Sequence, residues 1–179
     1  MRVATTAAFE RANPLADHYQ ICDTTACQVY GGFSAEHPDS NSAVAATRKE
    51  VRIYDGEPAF TQFSSSNGGW MAAGSVPYLV AREDPYDGWS GNPNHSWSRS
   101  ITDATIEQAW PVLGDLTSVK FLSRDGNGEW GGRVTRVTLT GTKDTLSVQK
   151  TMSGSDFRSA LALKSEWINL TVAAARQLS

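Results

Sequence analysis

The residues best suited to binding chemistry in this chain are consecutive: Ser64, Ser65, Ser66, Asn67, Gly68 and Gly69. Serine hydroxyls and the Asn67 amide both donate and accept hydrogen bonds, and glycines let a ligand approach the backbone closely. Trp70 follows with a flat apolar indole and one donor. This mixture favours a neutral, extended, hydroxyl-rich ligand such as a glycan over a phosphate or a metal ion. The alternative is a polar turn between two strands.

Two short alternating segments are predicted to position this serine loop. Apolar and polar residues alternate from Glu50 to Tyr54 and are interspersed from Ala59 to Phe63, which we interpret as strands with one buried face. Asp55-Gly56 between them is a hairpin turn signal. We therefore expect Val51–Tyr54 and Ala59–Phe63 to pair as antiparallel strands, which places the serine loop at a sheet end, where binding loops commonly lie.

A second loop region is predicted from Glu83 to Trp97, after a short apolar run from Val76 to Ala81. It is rich in acids, aromatic residues and turn formers. Such a loop can line a groove, and it can equally be a surface loop held in place by buried indoles.

The only two cysteines, Cys22 and Cys27, lie close together in a segment with loop-like composition. They can form a disulfide, a partial metal site with His18, or two free thiols. One pair without a second is weak support for structural zinc, which takes four ligands. A disulfide is favoured if the protein works outside the cytoplasm.

The remaining segments predict an α+β fold, a single domain of mainly antiparallel strands with a few short helices packed on one side. Helices are predicted at Arg2–Ala12, ended by Asn13-Pro14, and at Asn41–Ala46 with Ser42 as cap. Thr102 or Asp103 caps a third at Ala104–Trp110. The other predictions are strands Leu116–Ser123, Val134–Thr140, Leu146–Val148 and Trp167–Val172, and a helical turn at Ser155–Leu161.

The turn after Ser123 has some features of a calcium loop. Asp125, Asn127 and Glu129 alternate with glycines, but the rest of the calcium-binding pattern is missing. The segment is therefore predicted to be a hairpin turn.

Composition excludes several classes of protein. The 179 residues include 16 basic and 19 acidic side chains, a formal charge of −3 without charged blocks, which is unlike the basic surface of a nucleic-acid-binding protein. The apolar fraction of 40% is that of an ordinary globular protein. The apolar runs are too short to span a bilayer, and no signal-peptide pattern precedes the domain.

Six segments occur in an order that resembles a known family. They are Cys-Asp-Thr-Thr-Ala-Cys-Gln-Val-Tyr from position 22, Phe-Ser-Ser-Ser-Asn-Gly-Gly-Trp from 63, Pro-Tyr-Leu-Val-Ala from 77, Asp-Pro-Tyr-Asp from 84, Asn-Pro-Asn-His-Ser-Trp from 92 and Phe-Arg-Ser-Ala-Leu from 157. Together they resemble the domain shared by stage II sporulation protein D and the amidase enhancer LytB. The resemblance covers most of the chain, from Tyr19 to Trp167.

This resemblance implies an extracytoplasmic protein that acts on the glycan strands of peptidoglycan. Sporulation members of the family are lytic transglycosylases, and amidase enhancers stimulate a partner N-acetylmuramoyl-L-alanine amidase. By resemblance, Gln28 and Tyr30 flank the substrate groove and Ser64–Gly69 form its floor. The cysteine pair braces one wall, near where some members hold zinc.

The family's catalytic acid has no counterpart in this sequence. It is a glutamate in a Glu-Met-Pro-type segment before an alanine-rich helix, and residues 1–13 resemble the remnant of that helix, with the peptidoglycan-acting domain at 14–179. The glutamate is therefore expected upstream of Met1. Glu10, Glu83 and Glu129 lie outside the family's context, so the resemblance assigns no catalytic residue. A non-catalytic amidase enhancer or wall-binding module remains the alternative.

Overall fold

The computed structural model of the chain describes residues 2–14 and 31–171 and confirms the predicted α+β class. Short helices accompany small antiparallel sheets. The chain divides into two compact units, Met1–Phe63 and Ser64–Ser179. No helix of the described ranges is long and apolar enough to cross a membrane.

The first unit combines helix α1, Arg2–Ala12, with a small hairpin. The predicted helix is confirmed, and it ends where Asn13 donates from its backbone and side chain to the Phe9 carbonyl at 2.8 and 3.1 Å. Its buried face carries Thr5, whose hydroxyl accepts a hydrogen bond from the Arg52 amide at 2.9 Å. The Phe9 ring lies 5.2 Å from the Phe60 ring, so the helix packs against the chain on both sides of the hairpin.

The hairpin is shorter than predicted. Strands β1, Ile53–Tyr54, and β2, Glu57–Pro58, pair across the Asp55-Gly56 turn, which confirms the turn. The strand predicted at Ala59–Phe63 is wrong, because only the Ala59 amide continues the pairing, to the Arg52 carbonyl at 2.9 Å. A mixed apolar and polar pattern indicates a buried face, but a strand also needs partners for its backbone groups. The contact of Thr61 is instead between side chains, since its hydroxyl bonds the Thr6 hydroxyl at 2.8 Å.

Helix α2, Pro38–Ala46, begins three residues before the predicted helix. Its cap is His37, whose Nδ1 accepts from the Asp39 amide at 3.3 Å, and the predicted cap Ser42 lies inside the helix. Proline at the first helical position needs no hydrogen-bond partner for its nitrogen. The prediction of Ser42 as cap is wrong, because His37 and Pro38 already start the helix four residues earlier.

The second unit is built on a three-stranded antiparallel sheet in which the strands lie in sequence order. The strands are β5, Asp115–Arg124, β6, Val134–Lys143, and β7, Leu146–Ser153. The central strand β6 buries every other side chain along much of its length, as its β-branched sequence predicts. All three predicted strands are confirmed, with β7 longer than expected.

Two helices cover one face of this sheet. Helix α3, Asp103–Ala109, is capped by the Thr102 hydroxyl, and helix α4, Gly154–Ala160, by the Ser153 hydroxyl. The Trp110 and Phe157 rings stack at 5.8 Å with nearly parallel planes. The core around them consists of Ile106, Leu113, Val134, Val137, Leu139, Leu161 and Leu163.

This unit contains one short strand pair that was not predicted, and one predicted strand that is wrong. Two short strands, β3 at Trp70–Met71 and β4 at Arg82–Glu83, pair with each other. The Val76–Ala81 run between them contains no strand. The predicted strand Trp167–Val172 is wrong for residues 167–171, which are irregular. Arg124 of strand β5 attaches this segment to the sheet by donating to the Ile168 carbonyl at 2.9 Å. This side-chain bond takes the place of a ladder of backbone hydrogen bonds.

Candidate functional site

The serine loop is organised around one carboxylate, that of Asp87. This side chain is only 7% exposed and accepts four hydrogen bonds. Three come from the serine loop: the Ser66 hydroxyl at 2.7 Å, the Asn67 amide at 2.9 Å and the Gly68 amide at 3.0 Å. The fourth comes from His95 Nδ1 at 2.7 Å. Asp87 therefore fixes the backbone of the loop from behind.

These bonds also fix the ionisation of Asp87. Burial alone would raise the pKa of this carboxyl by penalising its charged form, but the hydrogen bonds from His95, Ser66 and the two loop amides outweigh burial and lower the pKa. Asp87 is therefore a carboxylate at neutral pH and acts only as an acceptor. It follows that the Nδ1 of His95 carries the shared proton.

Asp84 holds the other half of the loop. Its Oδ2 accepts from the Asn67 side-chain amide at 2.7 Å, and the Asn67 side-chain oxygen accepts from the Gly69 amide at 2.8 Å. The Asp84 amide in turn donates to the Gly69 carbonyl at 2.9 Å. The backbone amide, the side-chain amide and the side-chain oxygen of Asn67 are therefore all engaged in hydrogen bonds within the protein.

Arg133, the residue directly before strand β6, contacts the serine loop. Its Nη2 donates to the Asn67 carbonyl at 2.8 Å and to the Trp70 carbonyl at 2.7 Å. The guanidinium also lies 5.2 Å over the ring of Trp167, a cation–π geometry. The side chain is only 15% exposed, so Arg133 connects the serine loop to the main sheet.

Trp167 fills the space beside two glycines. A Cβ placed on Gly68 would lie 3.1 Å from the indole, and one on Gly128 would lie 2.5 Å from it. Both glycines also have positive φ, a conformation that other residues rarely adopt. The Trp167 Nε1 donates to the Glu129 carbonyl at 2.9 Å. The indole therefore packs between the serine loop and the hairpin turn that follows β5, and we call this contact the Trp167 wedge.

The structure brings six of the predicted site residues together and leaves the rest outside its description. Ser64 to Gly69 form one compact loop, in which the Ser64 hydroxyl donates to the Ser66 carbonyl at 3.1 Å. Ser64 and Ser65 are exposed, while Ser66 and Asn67 point back toward the aspartates. The residues Gln28, Tyr30, Cys22, Cys27 and His18 lie outside the described residues.

Two other predicted features have a structural role. The indole nitrogen of Trp70 is buried without a hydrogen-bond partner, so it presents no donor to solvent. The Asp125–Gly128 segment is a turn, as predicted, in which Asp125 Oδ1 accepts from the Asn127 and Arg133 amides at 3.1 Å each.

Across residues 2–14 and 31–171, no group of three or more His, Cys, Asp or Glu side chains has the geometry to hold a metal ion.

Sequence reasoning did not select Asp84, Asp87, His95 or Arg133 as site residues. The first three lie in Asp-Pro-Tyr-Asp and Asn-Pro-Asn-His-Ser-Trp, two turn-rich motifs in the predicted second loop. Acids and amides next to proline in a turn often bond nearby backbone amides, which was the available signal. Arg133 gave no local signal at all.

Comparison with known proteins confirms the predicted resemblance to the stage II sporulation protein D and LytB family. A family model described as stage II sporulation protein matches residues 3–54. A protein of Bacillus subtilis (strain 168) named amidase enhancer is 44% identical over 93 residues, which make up 49% of this chain and 12% of the relative. The chain thus spans a small part of that protein's length. No solved structure matches.

Proposed function

We propose that this chain binds the glycan strands of peptidoglycan and takes part in remodelling the bacterial cell wall, outside the cytoplasm. Its similarity to an amidase enhancer and to stage II sporulation proteins supports a cell-wall role. The finer proposal, direct contact with glycan, depends on the chemistry of the serine loop.

The observation that carries this proposal is the division of the serine loop into an anchored side and an open side. Asp84, Asp87 and Arg133 hold its backbone and inner side chains. Ser64 and Ser65 remain exposed on a backbone that is already fixed. The Ser64 hydroxyl, which donates to the Ser66 carbonyl, offers its oxygen as an acceptor, and Ser65 offers a neutral hydroxyl. A loop fixed in advance loses little conformational entropy on binding, and hydroxyls match the donors and acceptors of a sugar.

Glycan cleavage is a further step that needs an acid. Lytic transglycosylation requires a carboxyl group that is protonated near neutral pH and donates to the glycosidic oxygen, after which the sugar's own C6 hydroxyl closes a 1,6-anhydro ring. Asp87 does not meet this requirement because its donors lower its pKa. Glu83 and Glu129 are exposed on the short strand β4 and in the hairpin turn. We therefore propose binding without assigning an acid.

Stimulation of an amidase is the second candidate function. It is favoured by one specific observation, the name of the similar Bacillus subtilis protein, amidase enhancer. The two functions are compatible, because a module that holds glycan strands can place an N-acetylmuramoyl-L-alanine amidase on its substrate.

Co-sedimentation with purified, peptide-stripped glycan strands tests the proposal. We expect the chain to pellet with the strands, and the double variant Ser64→Ala/Ser65→Ala to pellet less, while Ser118→Ala/Ser147→Ala on the exposed sheet strands behaves like the wild type. A chain that stays in the supernatant at every strand concentration contradicts the proposal.

Mass spectrometry of the same mixtures tests cleavage. Products that end in 1,6-anhydro-N-acetylmuramic acid would show a lytic transglycosylase, and intact strands in the pellet would show a binding module. Addition of a purified amidase with intact peptidoglycan then tests stimulation through the rate of stem-peptide release.

A further inference from the structure

The imidazole of His95 presents one nitrogen to solvent at the edge of the serine loop. Nδ1 is occupied by Asp87 at 2.7 Å, and the side chain is 35% exposed. Within residues 2–14 and 31–171, Nε2 makes no hydrogen bond and is not one of the buried unpaired nitrogens, so it reaches solvent. A proton held on Nδ1 leaves Nε2 as an acceptor in the neutral ring.

The His95 ring lies close to two glycines, Gly69 and Gly88. A Cβ on Gly88 would lie 3.2 Å from Nε2, and one on Gly69 would lie 3.7 Å from the neighbouring carbon Cε1. Any side chain at Gly88 would therefore crowd the solvent-facing nitrogen. The imidazole is held by Asp87 at Nδ1 and lies close to the backbone of Gly69 and Gly88, so Nε2 has a fixed position.

Two large aromatic side chains flank Asp87 in the same turn. Tyr86 is 84% exposed and Trp89 is 65% exposed. The Trp89 indole packs over Gly91, where a Cβ would have no room. Burial of a tyrosine or a tryptophan side chain stabilises a fold strongly. Two such rings that stay exposed on one anchored turn therefore indicate a surface that binds a ligand.

The backbone that carries these rings is well anchored. The Tyr86 amide donates to Asp84 Oδ1 at 3.0 Å. The Asn92 side chain donates to the Asp87 carbonyl at 2.7 Å, and its amide donates to the Trp89 carbonyl at 3.0 Å. The rings and the imidazole are therefore presented by one fixed loop and not by independent segments.

We propose that Tyr86, Trp89 and His95 form a subsite for a pyranose ring of the glycan strand. The exposed rings contact the apolar C–H faces of the sugar, and His95 Nε2 bonds one of its hydroxyl groups. Exposed aromatic rings and one fixed polar atom on the same anchored loop suit a pyranose, which has C–H faces and a polar rim, better than they suit a peptide or a charged ligand. This inference rests on the proposed function and assigns it a second group of residues.

Binding of the N-acetylglucosamine tetramer and of peptide-stripped glycan strands tests the aromatic part. Trp89→Ala is expected to weaken binding about threefold to tenfold, in line with the energy of an aromatic contact, and Trp89→Phe to retain most of it. The matched control is Leu146→Ala, because Leu146 is 69% exposed at the β6–β7 turn and is expected to leave binding unchanged.

The variant His95→Asn tests the polar part. An asparagine amide can replace Nδ1–H as donor to Asp87 but has no atom at the place of Nε2. We expect the fold and the loop amide resonances to be kept while binding weakens about threefold to tenfold, the value of one lost hydrogen bond. Binding equal to that of the wild type, with an intact loop, would overturn the role of Nε2.

The outcomes separate this subsite from the proposed function. If the wild type binds neither probe, both are wrong. If the wild type binds the strands and Trp89→Ala and His95→Asn bind them as well as Leu146→Ala does, the subsite is wrong and the proposed function stands.

Discussion

The Nδ1 of His95 and the Oδ2 of Asp87 lie 2.7 Å apart, although eight positions separate the two residues along the chain. The same carboxylate accepts hydrogen bonds from Ser66, Asn67 and Gly68. This pair therefore joins the two loops that the sequence predicted as separate features, and makes them one site.

Loss of the Asp87 charge should weaken the fold of the second unit. Asp87→Asn keeps the shape of the side chain but places an NH2 group where donors now converge, so we expect the free energy of unfolding to fall by roughly 2–3 kcal/mol. Urea denaturation followed by tryptophan fluorescence measures this. Glu83→Gln, which removes one charge from an exposed side chain, is the control and should change stability little. Equal stability of the two variants would contradict the role of Asp87.

The lowered pKa of Asp87 predicts a pH dependence. Its contribution to stability is complete above the unfolded value of 3.8 and is lost as pH falls below that value through the folded pKa. The stability difference between wild type and Asp87→Asn should therefore be constant near neutral pH and shrink in acid below the unfolded value. Urea titrations from neutral to acidic pH measure it. A difference that grows on acidification would contradict the direction of the shift.

Replacement of Arg133 should loosen the serine loop. Lysine cannot donate to two carbonyls in the fixed geometry of a guanidinium or stack as well on Trp167, so Arg133→Lys should lower stability by about 1–2 kcal/mol. It should also speed hydrogen exchange at the amides of Gly68 and Gly69. The control is Arg136→Lys, at an exposed position of β6. Unchanged exchange at both glycines would show that Arg133 does not hold the loop.

Two glycines in one turn provide a matched test of the Trp167 wedge. Gly126 and Gly128 have φ values of 86° and 76°, but an added Cβ meets nothing within 4 Å at Gly126 and lies 2.5 Å from Trp167 at Gly128. Both alanine variants carry the backbone strain, and only Gly128→Ala adds the steric contact. We expect it to be less stable than Gly126→Ala by about 1–2 kcal/mol in thermal or urea unfolding. Equal losses would mean that the indole moves freely.

The cysteine prediction lies outside the described residues and stays open to direct measurement. We expect Cys22 and Cys27 to form a disulfide in protein produced under oxidising conditions, detected as the mass of two hydrogens gained on reduction. Stoichiometric zinc in protein purified under reducing conditions, lost together with stability on chelation, would favour the alternative site with His18.

Local features of this protein followed from the sequence. Thr102 and the residues after it predicted the capped helix α3, the β-branched run from Val134 predicted the central strand, and Asp55-Gly56 predicted a hairpin turn. Each of these patterns acts over a few residues, because caps, turns and side-chain alternation depend on neighbouring backbone groups.

The tertiary structure alone decided which of these features form a site. Arg133 lies 66 positions from Asn67 and Trp167 lies against Gly68, contacts for which no local pattern exists. The strand predicted at Ala59–Phe63, and residues 167–171 of the strand predicted at Trp167–Val172, failed for the same reason, since a mixed apolar and polar pattern indicates a buried face but does not supply a partner for the backbone. The sequence determined that Ser64–Gly69 would be a polar loop. Packing determined that Ser66 and Asn67 bond the aspartates while Ser64 and Ser65 face solvent, because a buried carboxylate must be satisfied by whichever donors the fold brings to it.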